Sequence, residues 1–174
     1  MFWKIIAAFV RAVDGFSDWL GRAVAWLALG MVLVTFAVVV LRYGFDLGWI
    51  ALQESVVYMH ATLFLLAAAY TLRHDAHVRV DILYQRLGPV GKAWIDLLGT
   101  CLLLLPVCVF IAWISWDYVC AAWAVKESSR EAGGLPAVFL LKSLIPLFAA
   151  LLALQGLAQG CRALAVIAGR PLEA

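Results

Sequence analysis

Charged residues are scarce in this sequence. Lys, Arg, Asp and Glu make up 14% of the 174 residues, whereas a soluble domain usually carries about a quarter. The net charge is +2, and no tract of Lys and Arg is dense enough for nucleic-acid binding. Hydrophobic residues account for 66% of the chain. These proportions exclude an ordinary soluble protein and a nucleic-acid-binding protein, and they predict an integral membrane protein.

Patterns that carry catalysis or bind metals are also missing. The sequence has no Ser-His-Asp arrangement and no glycine-rich loop that would hold a phosphate. Its cysteines are scattered through apolar stretches without a CxxC pair, and cysteine in such places usually packs as a small hydrophobic residue. They are Cys101, Cys108, Cys120 and Cys161. We therefore expect no catalytic, cofactor-binding or metal-binding residues.

Four uncharged apolar stretches separate the charged residues. A helix needs roughly 20 mainly apolar residues to cross about 30 Å of hydrocarbon, and each stretch has about that length. They lie at about residues 23–41, 55–72, 97–116 and 143–161. The sequence therefore predicts an all-α integral membrane protein with four transmembrane helices, forming one domain over residues 1–174.

The first 20 residues differ from these stretches because charged and apolar residues alternate there. Lys4, Arg11, Asp14 and Asp18 interrupt a series of large apolar side chains. This pattern is typical of an amphipathic helix at a membrane surface. We expect such an interfacial helix at about residues 2–20, before the chain turns into the bilayer.

Lysines and arginines are distributed unevenly between the two sides of the predicted bundle. Nine of the thirteen lie on the side of the two termini: Lys4, Arg11, Arg22, Arg73, Arg79, Arg86, Lys92, Arg162 and Arg170. The other side has Arg42, Lys126, Arg130 and Lys142. Because cytoplasmic loops carry the excess of Lys and Arg, both termini should be cytoplasmic.

Few polar side chains lie at membrane depth. His60 is the only ionisable residue well inside a predicted span, and Gln155 and Gln159 lie one turn apart in the fourth. A small proton-coupled exporter would need an embedded carboxylate, which the spans lack. A haem-bearing anchor of a redox enzyme is the alternative, because His60 and His74 share a helix face about 21 Å apart. Each iron would still need a second axial ligand from another helix.

The loops resemble those of a known transporter family. The second span runs into Arg73-His-Asp-Ala-His77-Val-Arg79-Val-Asp81, and the fourth contains Leu154-Gln155-Gly156. Further matching segments are Arg42-Tyr43, Trp49, Gln53-Glu54, Gly88-Pro89, Trp94–Gly99, Glu127-Ser-Ser, Gly133–Pro136, Leu141-Lys142 and Ile145-Pro146. Over about residues 20–165 the chain resembles the small membrane subunit of TRAP transporters (tripartite ATP-independent periplasmic transporters), the DctQ-like family.

This resemblance implies partners and a location. In such a transporter of the bacterial inner membrane, a large multi-span permease subunit holds the sodium and substrate sites and moves as an elevator. A periplasmic solute-binding protein delivers the solute, typically a small organic acid. The small subunit enlarges the static part of the large one. Neither an enzymatic activity nor a cofactor is implied.

Several residues of the matching segments are candidates for contact with a partner subunit or with lipid headgroups. Arginine suits phosphate recognition, and polar side chains within spans form interhelical hydrogen bonds. The candidates are Trp49, Glu54, Arg73, His77, Arg79, Asp81, Lys142 and Gln155.

Overall fold

The computed structural model of the protein describes residues 2–77, 84 and 86–170, which are mainly helical. The predicted contact residues Arg79 and Asp81 lie outside these ranges. The helical elements are α1 (Phe2–Gly44), α2 (Ile50–Leu66), α3 (Ala68–Arg73), α4 (Pro89–Gly99), a π-helical turn (Thr100–Leu104), α5 (Leu105–Ala124) and α6 (Val138–Ile167).

Within the part of the chain that the structure describes, four helical stretches are long and apolar enough to cross a membrane. They are Phe2–Gly44, Ile50–Arg73, Pro89–Ala124 and Val138–Ile167. Each contains one of the predicted spans. The prediction of an all-α protein with four membrane-spanning helices is therefore confirmed.

Helix α1 is longer than any single span requires. Its 43 residues form one helix, which is about 65 Å long at 1.5 Å per residue. The amphipathic segment predicted at residues 2–20 is therefore the first half of this helix and not a separate element, because no break in the helix precedes the first span. Its outer side still presents apolar side chains, namely Phe2, Ile5, Phe9, Phe16 and Trp19.

The opposite side of this first half packs against other helices. The buried residues of α1 recur at helical spacing: Val10, Val13, Asp14, Ser17, Gly21 and Val24. Val10 and Val13 form a buried cluster with Ala158 of α6. Helix α6 contacts every other helical element described above, so it is the central helix of the bundle.

Small residues let two pairs of helical elements approach closely. A Cβ at Gly21 of α1 would lie 2.4 Å from Tyr70 Cγ of α3. A Cβ at Gly156 of α6 would lie 2.5 Å from Leu104 Cδ2 in the π-helical turn. Close backbone approach at small residues is a common basis of helix packing in membranes.

The π-helical turn interrupts the third membrane-spanning stretch. The Leu105 N–H bonds the Thr100 carbonyl, five residues earlier, and Pro106 follows directly. Proline lacks an N–H and cannot continue the ordinary helical pattern, and a local π-bulge is one common adjustment near such an interruption. Thr100 is buried in this turn, 3.6 Å from the position that a Cβ would take at Gly156 or Gly160.

Candidate functional site

A buried polar cluster joins three helices at the end of the bundle near the chain termini. Asp14 of α1 is 8% exposed. Its carboxylate accepts a hydrogen bond from Gln155 Nε2 of α6 (3.0 Å) and another from Arg162 Nη1 (2.7 Å). Arg73 Nη1 of α3 donates to the Asp14 backbone carbonyl (2.6 Å). We call this set the Asp14 cluster; it comprises Asp14, Ser17, Asp18, Arg73, His74, Gln155 and Arg162.

Gln155 is the most enclosed polar residue of the cluster. Its side chain is completely buried, and its Oε1 accepts a hydrogen bond from Ser17 Oγ (2.7 Å) while its Nε2 donates to Asp14. Gln155 is one of the residues predicted to contact a partner or lipid. In the structure its amide is enclosed and bonded within this chain, and the partner or lipid contact stays a prediction.

Asp18 extends the cluster toward the surface. It forms an ion pair with Arg73, and His74 Nε2 lies 3.0 Å from Asp18 Oδ1. The His74 ring also packs against Tyr70, with 4.4 Å between ring centroids. The cluster thus brings together the carboxylates of Asp14 and Asp18 and the guanidinium groups of two arginines, Arg73 and Arg162. Their formal charges balance. This arrangement fixes the positions of α1, α3 and α6 relative to one another.

The predicted residue His77 lies just beyond α3, apart from the cluster. Its Nε2 is 3.1 Å from Thr71 Oγ1 and 3.3 Å from the Ala68 carbonyl. These contacts hold the chain against α3 where the second membrane-spanning stretch ends.

Glu54 fixes the connection between α5 and α6 at the opposite end of the bundle. Ser129 Oγ donates to Glu54 Oε1, and the Leu135 N–H donates to Oε2 (2.6 Å). Gly134 lies close to Ser129 and Glu54: a Cβ added at Gly134 would be 2.9 Å from Glu54 Oε1. The two carboxylate oxygens therefore order a connection that has little regular structure of its own.

Lys142 and Trp49 lie at this same end. Lys142 Nζ pairs with Glu127, and it lies 3.9 Å from the centroid of the Tyr118 ring. Trp49, which directly precedes α2, is 65% exposed. Of these two predicted contact residues, Trp49 is thus open to a partner, whereas Lys142 is engaged within the chain.

Replacing Glu54 with glutamine should loosen the α5–α6 connection. The amide keeps the size of the side chain but offers one acceptor oxygen where the carboxylate offers two, so one of the two loop donors loses its partner. We expect trypsin to cleave after Lys126 and Arg130 several times faster in Glu54→Gln than in the unaltered protein.

The matched control is Glu131→Gln, which makes the same chemical change at an exposed position of the same connection. Its cleavage rate after Lys126 should stay close to that of the unaltered protein; the bond after Arg130 is left out of this comparison because residue 131 directly follows it. Equal cleavage rates for the two variants would contradict the role assigned to Glu54.

The two histidines considered as haem ligands lie in different surroundings. His60 is on the outer surface of α2, and its ring stacks on Phe64 with 6.2 Å between centroids. His74 instead contacts Asp18. Within residues 2–77, 84 and 86–170, no group of three or more His, Cys, Asp or Glu side chains is arranged to hold a metal ion.

Sequence reasoning missed the centre of the Asp14 cluster. Asp14 was predicted to lie on the polar side of a surface helix, Arg162 entered only the prediction of orientation, and Ser17 was given no role. A signal was present in the spacing of Val10, Val13, Asp14, Ser17, Gly21 and Val24. Successive members lie one, three or four residues apart, which places them on one helix face. The pattern indicates a packed helix face, but it does not indicate that Gln155 and Arg162 of α6 are the residues that bond Asp14.

Comparison with known proteins identifies the family. The chain matches the family described as "Tripartite ATP-independent periplasmic transporters, DctQ component" over residues 31–166. A curated relative from Haemophilus influenzae, provisionally named a TRAP transporter small permease protein, is 37% identical over 90 residues. That alignment covers 52% of this chain and 55% of the relative, so about half of the relative's length is matched. No solved structure matches the chain significantly.

The family match spans the last part of α1 and nearly all of the chain that follows it. It includes Arg73 of α3 and Gln155 and Arg162 of α6. Four helices with the length and hydropathy of membrane spans fit a permease component. The chain therefore belongs to the DctQ family of TRAP transporter components, and it is a multi-pass transport protein of the bacterial inner membrane and not an enzyme.

Proposed function

We propose that this chain is the scaffold subunit of a sodium-coupled TRAP transporter that imports a small organic acid. The observation that carries the proposal is the family match over residues 31–166. In the proposed complex, a large permease subunit of the elevator type holds the sodium and solute sites, and this chain enlarges its static part. A periplasmic solute-binding protein delivers the acid.

The use of charged groups within the chain supports a scaffold role. A protein that moves ions or acids through its own spans needs ionisable side chains that face a pathway. Here Arg73 of α3 and Arg162 of α6 instead donate hydrogen bonds to Asp14 of α1. These groups hold helices in place, which is what a static element requires.

The outer surface of the bundle supports assembly with another membrane protein. Large apolar side chains are exposed along its spans, for example Leu33 on α1, Phe64 on α2 and Val109 on α5. Lipid can cover such a surface, so shape and a few polar contacts must select a partner helix. With both termini in the cytoplasm, as the distribution of Lys and Arg predicts, Trp49 would lie at the periplasmic face. Arg79 and Asp81 remain predicted cytoplasmic contacts to the large subunit or to headgroups.

Co-purification tests this function. The tagged chain should be co-expressed with the large permease subunit of the same transporter and purified in mild detergent. We expect a stoichiometric complex that survives size-exclusion chromatography. Recovery of this chain alone, with the large subunit demonstrably present in the same membranes, would contradict the proposal.

A further inference from the structure

His60 lies near the middle of a membrane-spanning stretch and faces outward. It is ten residues after Ile50 and thirteen before Arg73, which places it about 15 Å and about 20 Å from the two ends of that stretch. Its side chain is exposed, as are Val57 and Phe64 on the same helix. An imidazole therefore projects from the bundle where hydrocarbon would otherwise surround it.

The two nitrogen atoms of the His60 ring can donate or accept a hydrogen bond. Among the described residues, neither ring nitrogen has one, and the contact made by the ring is its stacking on Phe64. Lipid tails offer neither a donor nor an acceptor, and ionisable residues at this depth almost always face protein or a water-filled cavity.

An apolar groove continues the same helix face toward Arg73. It has a volume of about 440 Å³, with Phe64, Phe148 and Leu152 among its walls and the small residues Ala67 and Ala68 beside them. Residues of this face recur along the helix at positions 57, 60, 64, 67, 68 and 71. Successive positions lie one, three or four residues apart, so they fall on one side of a helix. The polar ring and the groove thus form one continuous surface, which we call the His60 face.

We propose that the His60 face is the surface at which the large permease subunit binds. A helix of that subunit donates or accepts a hydrogen bond at His60 and inserts an apolar side chain into the groove beside Ala67 and Ala68. This inference rests on the proposed function, and it adds which helix of this chain forms the interface.

The two other occupants fit this surface less well. Lipid chains can fill the groove but leave the imidazole without a partner. A second copy of this chain could place its own His60 at the same depth, but the proposed function already requires a different membrane partner, and photo-cross-linking distinguishes the two. A different membrane protein with a polar group at this depth meets both requirements, since interhelical hydrogen bonds and close packing at small residues hold membrane helices together.

Photo-cross-linking locates the interface directly. A photoreactive amino acid is placed at position 60, and as a control at position 109, where Val109 of α5 is 66% exposed. Membranes containing the tagged chain and the large permease subunit are then irradiated. We expect position 60 to give a covalent adduct with the large subunit at several times the yield from position 109.

Each other outcome overturns the inference. Adducts from position 60 with lipid alone, or with a second copy of this chain, would show a different occupant. Equal yields from positions 60 and 109 would show that the His60 face is not distinguished from the rest of the surface. Co-purification of the unaltered subunits separates the two proposals: a stable complex without a position 60 adduct contradicts the interface but leaves the scaffold function standing.

Two substitutions test whether the imidazole contributes to binding. His60→Leu removes the hydrogen-bonding groups, whereas His60→Gln keeps a donor and an acceptor at the same position. Because His60 has no hydrogen-bond partner among the described residues, both variants should fold and purify as the unaltered chain does. We expect His60→Leu to weaken binding of the large subunit about fivefold and His60→Gln to retain most of it. Unchanged binding in His60→Leu would contradict the hydrogen bond.

Discussion

Replacing Asp14 with alanine should destabilise the folded chain more than any other single loss of a polar side chain described here. The change leaves Arg162 and the Gln155 amide without their acceptor in an enclosed position. Removing one partner of a buried ion pair costs about 3–5 kcal/mol. We expect a value near the lower end, about 3 kcal/mol, because the Arg162 side chain keeps 28% exposure. The midpoint of thermal unfolding in detergent should fall by several degrees.

Two further variants separate charge from hydrogen bonding. Asp14→Asn keeps an acceptor for one neighbour but removes the charge opposite Arg162, so its midpoint should lie between those of Asp14→Ala and the unaltered protein. Asp117→Ala removes a carboxylate from an exposed position of α5 and should change the midpoint little. If Asp14→Ala and Asp117→Ala had the same midpoint, the Asp14 cluster would not be stabilising the bundle.

Gly21→Ala should be the second most damaging of the changes considered. An added Cβ would lie 2.4–2.6 Å from three atoms of Tyr70 close to its own backbone, and such atoms cannot move aside as a flexible side-chain end can. Either α1 and α3 separate or Tyr70 leaves its position against His74. Overpacking of this kind typically costs about 1–3 kcal/mol. The unfolding midpoint should fall accordingly.

Gly15 provides a matched control on the same helix. A Cβ at Gly15 meets nothing within 4 Å, and alanine is favoured over glycine in a helix by about 0.5–1 kcal/mol. Gly15→Ala should therefore leave the midpoint unchanged or raise it. A Gly21→Ala protein as stable as Gly15→Ala would show that the close approach of α1 and α3 is not needed.

The helical architecture was predictable because each membrane span is formed by one continuous stretch of apolar residues. A stretch such as 23–41 has the length and hydropathy that hydrocarbon demands, and no other part of the chain is needed to recognise it. The amphipathic segment at residues 2–20 was recognisable from its composition for the same reason. Its continuation into the first span as one helix was not, since charged residues near position 20 are compatible with either a turn or an uninterrupted helix.

The Asp14 cluster was beyond sequence reasoning because its members come from distant parts of the chain. Asp14 meets Arg162, which is 148 positions away, and Gln155, which is 141 positions away. Hydrophobic periodicity shows that Asp14 lies on a packed face, but it carries no information about which helix packs there. Glu54 is similar: its position at the end of a span was evident, whereas its bonds to the connection 81 positions later required the fold.

Uptake by reconstituted vesicles tests the scaffold account most directly. The large permease subunit is inserted into liposomes with and without this chain, and accumulation of radiolabelled organic acid is measured with the solute-binding protein outside and an inward sodium gradient. Liposomes with this chain alone serve as the third sample. We predict sodium-dependent uptake from the two subunits together, much less from the large subunit by itself, and none from this chain alone. Uptake by this chain alone, or full uptake by the large subunit without it, would contradict the account.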